Sequence, residues 1–379
     1  RNHNIFLDTS YWGVFFIYKE MIRITNLTLG SLFDGIGVFP LAAQKQGITL
    51  SWAGEIEKAP IRITKKQFPH MIHLGDLTKL HGGKIPPVDI VTFGSPCQNL
   101  STIGNREGLA GKKSNLFYEA IRIIEEMRDA TNGKYPTLAI WENVMGAFSS
   151  NDRMDFKAVL EAFVQAEVPI PPSRQWANAG MVRGRNVDVC WRVLDSQYWG
   201  VPQRRRRIFL VADFRDFRAR EILFDTQGMQ SHLETCDQNR LSSPKDNRSL
   251  TTKAGRQLFL YPFQERRMRT YAKEKNTKGF VSSFGQSTDP FPTLLAGTVD
   301  TFAYWQEGFE TEGFVRKLIP LECERIMGLP ENWTQYGFDN QLISDSARYK
   351  ALGNSIVVPC AEFILSNVAK VYGKGESYG

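Results

Sequence analysis

From Leu27 to about Asp213 short apolar runs alternate with amphipathic stretches of helical length, and few architectures accept that rhythm. Leu29 to Phe33 reads as a strand and Val38 to Gln46 as a helix stopped by Gly47. Leu50 to Gly54 and Lys58 to Phe68 repeat the pair, the second helix ending before Pro69. Val88 to Phe93 is another strand. Behind it Ser114 is placed to cap a helix in which Phe117, Ile121, Ile124 and Met127 recur at helical spacing until Gly133. Leu138 to Trp141, Val187 to Leu194 and Ile208 to Ala212 are further strands. Such alternation predicts an α/β fold with a doubly wound, mostly parallel sheet.

Near Phe214 the rhythm dissolves. Residues to about Phe314 are rich in Ser, Thr, Gly and Asn, carry basic stretches such as Gln264 to Arg269, and read as a second, smaller, irregular β-rich domain. Helical signals return at Pro320 to Met327 and from Ile356 to Val371, whose Val357, Phe363, Ile364 and Val368 should pack on the first sheet. The expected division is therefore 21–213 for the α/β domain, 214–314 for the β-rich domain and 315–379 for a segment that returns. Residues 1–20, ahead of Met21, read as an extension.

At 379 residues the chain can bury a large core, and its length suits two lobes. A formal charge of +7 favours polyanionic partners. The five cysteines are scattered without a CxxC pair, which argues against a zinc site or disulfide framework and for a reducing cytoplasm. His70 and His73 could share a helix face, but no further ligand stands near them, so no metal is expected. No apolar run approaches the ~20 residues of a membrane span.

Reactive residue types gather where strands stop. The turn Gly94-Ser95-Pro96-Cys97-Gln98 follows Val88 to Phe93 directly, and its Pro fixes one dihedral beside the thiol. A glycine-bearing polar stretch, Asn99 to Lys113, follows as a candidate lid. Glu142-Asn143-Val144 closes the next strand, and Gln203 to Arg207 enters another, with alternation placing Gln203, Arg205 and Arg207 on one side. Neighbouring guanidiniums repel, so that cluster needs anionic company such as Glu142 or phosphate. Phe33-Asp34-Gly35-Ile36-Gly37 joins a strand to a helix, where glycines permit close backbone approach and amides stand free. Glu55 is placed to accept from ribose hydroxyls, and Asp76 to meet an exocyclic amine. Together the three strand ends outline an adenosine pocket without P-loop or full GxGxxG spacing.

In this order, the FDGIG turn, Glu55, Gly75-Asp76, SPCQ, ENV, QRRRR, Arg316 to Trp333 and Gly353-Asn354-Ser355 resemble the C5-cytosine DNA methyltransferase family, from Leu27 to Val371. The resemblance implies S-adenosylmethionine as cofactor, no metal, and duplex DNA as partner. It implies that Phe33, Asp34, Gly35 and Gly37 line the donor pocket, that Glu55 holds the ribose, and that Ile56 packs on adenine. Asp76 would take the adenine amine, Leu77 would flank it, and Asn354 and Ser355 would return to the same pocket. Cys97 would be the nucleophile at cytosine C6. Glu142 would hold N3 and the amino group, Arg207 the carbonyl oxygen, and Arg205 would brace Glu142 and the nearby backbone. Gln98, Ser101, Asn143 and Gln203 are similar to positions that meet DNA around an extruded base. The β-rich domain would read sequence in the major groove. The resemblance further implies a monomeric prokaryotic or phage enzyme of the cytoplasm, with a restriction endonuclease as a conceivable companion. Val38 replaces a glycine common after the FxGxG turn, and Pro40 stands in the first helical turn.

Other readings are an RNA cytosine methyltransferase with the same centre, a catalytically silent DNA-binding regulator, and, remotely, a nicotinamide oxidoreductase. The large β-rich region favours DNA over RNA. Cys97, Glu142 and Arg207 oppose silence, and the missing GxGxxG opposes the last.

Overall fold

The computed structural model describes residues 25–95, 116–224, 249–251, 257–264, 301–307 and 314–373. An eight-stranded mixed sheet forms its centre, in the order β3-β2-β1-β4-β5-β8-β7-β6. Its strands are β1 (Thr28–Leu32), β2 (Thr49–Gly54), β3 (Ile72–His73), β4 (Ile90–Phe93), β5 (Leu138–Val144), β6 (Ala179–Arg183), β7 (Asp188–Asp195) and β8 (Arg206–Asp213). β1 to β5 pair in parallel, as the alternation with helices predicts. The strand order reverses between β1 and β4, and in open α/β sheets that switch point is where a crevice opens beyond the carboxyl ends.

The later strands depart from the parallel expectation. β8 is antiparallel to both β5 and β7, and β6 is antiparallel to β7. This reversal decides the site. Val144, at the end of β5, pairs with Arg207, near the start of β8, so the arginine run sits at the edge where the parallel strands finish.

Helices cover both faces. On one lie α1 (Val38–Lys45), α5 (Ala219–Leu223), α6 (Pro320–Met327) and α8 (Val358–Tyr372), packed with Leu29, Ile90, Ile140 and Phe209. On the other lie α3 (Leu116–Ala130) and α4 (Met154–Val164), packed with Val91, Phe93, Trp141 and Leu210. Successive strand residues alternate between these two cores, as a sheet buried on both faces requires. The final helix does return to the first sheet: Phe363, Ile364 and Val368 are at most 1% exposed, and Trp199 meets Phe363 at 4.3 Å between ring centroids. Each such buried side chain contributes roughly 1.5–3 kcal/mol.

Two further helices are α2 (Lys58–Gln67) and α7 (Asp345–Asn354). The rhythm breaks near Phe214, yet Ala219, Ile222 and Leu223 are 0% exposed in the first core, so α5 belongs with the preceding sheet. The described strands beyond it, β9 (Ser249–Thr251), β10 (Gln257–Gln264), β11 (Thr301–Glu307) and β12 (Phe314–Lys317), make a separate antiparallel sheet in the order β12-β11-β10-β9. Among the described residues no single helix is long and apolar enough to cross a membrane.

Candidate active site

Three chain turns meet at the switch point. After β1 the backbone enters the left-handed region at Phe33 (φ 52°), Gly35 (58°) and Gly37 (78°). Such values suit glycine but are strained for phenylalanine. Gly37 also has no room for a side chain, since a Cβ there would lie 2.7 Å from the Phe68 ring. The turn is tied down where the Asp34 amide donates to the Gly54 carbonyl at 3.2 Å and the Trp333 indole donates to the Ile36 carbonyl at 2.8 Å.

Glu55 is held by backbone donors. Oε2 accepts the Gly35 amide at 2.8 Å, while Oε1 accepts the amides of Ile56 and Glu57 at 2.8 and 2.9 Å. Its carboxylate is thereby fixed at the cavity with one lone pair on Oε2 still to offer. Ile56, 66% exposed, presents a bare apolar face beside it. Asp76 does not close β3, which ends at His73; it caps a short 3-10 turn by accepting the Thr78 amide and hydroxyl at 3.0 and 2.8 Å. Those two bonds hold its carboxyl below the usual range.

The opposite end of the cavity is cationic and acidic together. Arg207 Nε lies 3.1 Å from Glu142 Oε1, both side chains being nearly buried. Burial pushes the Glu142 carboxyl up, and Arg207 and then Arg205 pull it partly back. A Cβ at Gly94 would stand 3.2 Å from Glu142 Oε2, so a larger residue there would press on that carboxylate. Arg205 is 2% exposed, and its Nη2 donates to the carbonyls of Gly353 at 2.8 Å and Ser355 at 2.6 Å. Burial, with Arg207 next to it, brings its guanidinium down to about 9. The expected brace to nearby backbone thus falls on the segment that ends α7.

Ser95, the last described residue before Pro96, is gripped twice. The Trp141 indole donates to its hydroxyl at 3.1 Å, and the Asn143 amide donates to its carbonyl at 3.3 Å. Asn143 and Gln203, expected against DNA, are 3% and 0% exposed. Gln203 turns its amide to Met327 Sδ at 3.6 Å, while Asn143 both holds Ser95 and borders the cavity. Cys97, Gln98, Ser101 and the candidate lid Asn99 to Lys113 lie outside the described residues.

A cavity of about 500 Å³ joins these parts. Its wall includes Phe33, Asp34, Gly35, Glu55, Ile56, Asp76 and Leu77 at one end, and Gly94, Ser95, Glu142, Asn143, Arg205 and Arg207 at the other, with Gly353, Asn354 and Ser355 closing it. Gly37 and Gln203 are not among the lining residues. Sequence reasoning missed α7, which lines the cavity with Ala347, Lys350 and Ala351, and the ion pair of Lys350 with Glu57 at 3.0 Å. A signal was present: Ser344 accepts the Ala347 amide, and Asp345 follows in the first turn. His70 and His73 lie on a turn and on β3, not on a helix, and no metal-binding group occurs among the described residues.

The volume suits a nucleoside-sized ligand, and the preset Glu55 carboxylate and bare Ile56 face suit S-adenosylmethionine.

The sequence pattern of the family described as C-5 cytosine-specific DNA methylase matches residues 27–370. The chain is 25% identical to the DNA N-6-adenine-methyltransferase of Escherichia phage P1, over 91% of this chain but 61% of that protein's length. It is 27% identical to type II methyltransferase M1.ScrFI of Lactococcus lactis subsp. cremoris, over 91% of this chain and 78% of that one. The crystal structure of the S. pombe Dnmt2 methyltransferase aligns with a TM-score of 0.60 at 14% identity, covering 91% of this chain and 99% of that one, a likeness of fold.

Proposed function

The chain belongs to the C-5 cytosine-specific DNA methylase family, and from that premise and the cavity's geometry we propose that it methylates carbon 5 of a cytosine turned out of duplex DNA. The observation that carries this reading is the Glu142–Arg207 pair, set in one cavity with the preset Glu55. Cytosine offers along one edge a carbonyl oxygen, a ring nitrogen and an amino group. A protonated carboxyl has one donor for N3 and one acceptor for the amine, and a guanidinium supplies the donor for O2. The burial that raises Glu142 favours its protonated form.

Cys97 is the nucleophile of this reading, two residues beyond the Ser95 that Trp141 and Asn143 hold. Addition of its sulfur to C6 makes C5 electron-rich, and Glu142 at N3 offsets the charge that develops on the ring. S-adenosylmethionine, when bound, supplies an electrophilic methyl group on a sulfonium sulfur. Phe33, Asp34, Gly35, Glu55, Ile56, Asp76, Leu77, Asn354 and Ser355 hold it, and Gly37 shapes the turn. Extruding the base costs a few kcal/mol, which contacts of Gln98, Ser101 and the basic residues with DNA offset. The antiparallel sheet β9–β12 belongs to the target-recognition domain. The enzyme acts as a monomer on cytoplasmic DNA, alone or beside a cognate endonuclease.

The phage P1 relative bears a name for adenine N6 chemistry. Methylation of an exocyclic amine uses the amine's own lone pair and has no need of a thiol, so SPCQ together with the Glu142–Arg207 pair favours cytosine. Incubation with radiolabelled donor and duplex DNA, followed by nucleoside analysis, decides it. The expected product is 5-methylcytosine in DNA, abolished in Cys97→Ser. Label in N6-methyladenine, label in tRNA alone, or full activity of Cys97→Ser would overturn the proposal.

A further inference from the structure

The turn after β1 is held partly by its neighbours and partly from the far end of the chain. The amides of Asp34, Gly35 and Gly37 find acceptors close at hand, at the Gly54 carbonyl, the Glu55 carboxylate and the Asp34 carbonyl. The Ile36 carbonyl is served from much farther away. It precedes Gly37, which caps α1 in the left-handed region, and the residue one helical turn on is Pro40, which has no N–H. Its donor is the Trp333 indole at 2.8 Å, a buried contact between residues 297 positions apart. Trp333 itself is firmly seated. It is 6% exposed and meets Phe68 edge to face at 5.7 Å, and the Phe68 ring fills the space that a Cβ at Gly37 would need. Gln67 Nε2 donates to the Trp333 carbonyl at 2.8 Å. On either side the amides of Asn332 and Thr334 donate to the buried Glu324 carboxylate at 2.8 and 2.9 Å. Main chain and ring are thus both fixed, and the N–H is presented at a set place.

Resting on the donor reading above, we propose that Trp333 is a positioning residue for binding of the methyl donor, its indole N–H setting the turn whose Gly35 amide holds Glu55. Neither Trp333 nor Ile36 lines the cavity, so the effect passes through two links. The first is the peptide between Ile36 and Gly35, and the second is the bond from the Gly35 amide to Glu55 Oε2 at 2.8 Å. A phenylalanine at positive φ, as Phe33 is at 52°, is strained and persists only where its surroundings over-determine it. Without the indole the Ile36 carbonyl would be buried and unpaired, and the turn would relax away from the geometry that presents Glu55.

Trp333→Phe keeps an aromatic ring against Phe68 and removes the N–H. Titration with S-adenosylmethionine should show a Kd raised about 3–30-fold, while kcat at saturating donor stays within about twofold. A merely structural role would instead lower the fraction of protein able to bind, and kcat with it, at an unchanged Kd. That result would overturn the proposal, as would an unchanged Kd at full stoichiometry. A tryptophan analogue with sulfur in place of the indole N–H, placed at position 333, preserves the shape if the phenylalanine variant misfolds. It should raise the Kd by a similar factor, and the unaltered Kd would refute the contact. Hydrogen exchange of the unliganded proteins reads the tie without any ligand. The Gly35 and Gly37 amides should exchange faster in Trp333→Phe, with Val91 in β4 and Ile140 in β5 unchanged; equal protection in the turn would also overturn the proposal. Failure of the unaltered protein to bind S-adenosylmethionine would instead remove the donor reading, and the role in donor binding with it, while the exchange result would still show whether the indole orders the turn.

Discussion

Arg205 donates through Nη2 to the carbonyl oxygen of Gly353 at 2.8 Å, joining residues 148 positions apart. The same guanidinium lies against the Glu142–Arg207 pair electrostatically. One buried side chain thus links the end proposed for the base to the α7 terminus that closes the donor end.

Arg205→Lys keeps a charge but loses the fork that reaches two carbonyls. Both the base end and the donor wall should loosen. The expected result is a fall in kcat/KM of about 10–100-fold with a weaker donor Kd as well. Steady-state kinetics and donor titration check it; a purely kcat effect would contradict the linkage.

Ser95 should matter differently. Ser95→Ala removes the acceptor of the Trp141 indole, and Asn143→Asp removes the amide that grips the Ser95 carbonyl. Each releases the segment leading to Cys97 without touching Glu55 or Ile56. kcat should drop about 10–100-fold while the donor Kd holds, as separate donor titration and single-turnover measurement would reveal.

Asp34 gives the unliganded protein a distinctive pH dependence. Its folded value, about 7, lies above the ordinary 3.8, so the folded state holds the extra proton between those limits. The stability it contributes is fully present below about 4 and is lost as pH rises through about 7, by on the order of a few kcal/mol. The thermal midpoint of the unaltered protein should therefore fall relative to Asp34→Asn between pH 5 and pH 8. Carboxyls held low elsewhere, such as Glu126 and Glu221, act in the opposite sense but equally in both proteins. Glu55, Glu57, Asp76, Glu142, Arg205, Arg207 and Lys350 line the same cavity, and among them Glu55 is the one whose charge enters the Asp34 shift. A parallel pH course for both proteins would contradict the assignment of the shift.

The wall formed by α7 depends on a buried ion pair. Glu324, 0% exposed, accepts from Arg348 Nη2 at 3.1 Å and from the amides of Asn332 and Thr334 at 2.8 and 2.9 Å. Arg348→Met leaves that carboxylate uncompensated and should cost about 3–5 kcal/mol by denaturant unfolding. Adding Glu324→Gln should recover part of the loss, because an amide oxygen still accepts while the buried charge is gone.

Local patterning made most of the catalytic half readable. Apolar runs with helical partners placed β1, β2, β4 and β5, and Gly35 and Gly37 announced a turn that needs positive φ. Asp76 stands apart from a strand end, because β3 pairs only two residues and one carboxylate oxygen of Asp76 is engaged as a cap. Helix α7 gives little periodic signal because apolar and polar residues are mixed around Asp345–Asn354, although its cap is sound.

What the sequence determined by itself was the kind of chemistry: residue types with nucleophilic, acidic and cationic character at strand boundaries, since strand periodicity and turn residues are local properties. What only the tertiary structure decided was which of them meet. The direction of β8 brings Arg205 and Arg207 to Glu142, and the long return of the chain sets Gly353 and Ser355 against Arg205. Burial decided the rest, enclosing Asn143, Gln203 and the Asp34 carboxylate. Strand direction, long-range pairing and desolvation arise from the whole packed chain, and no window of sequence contains them.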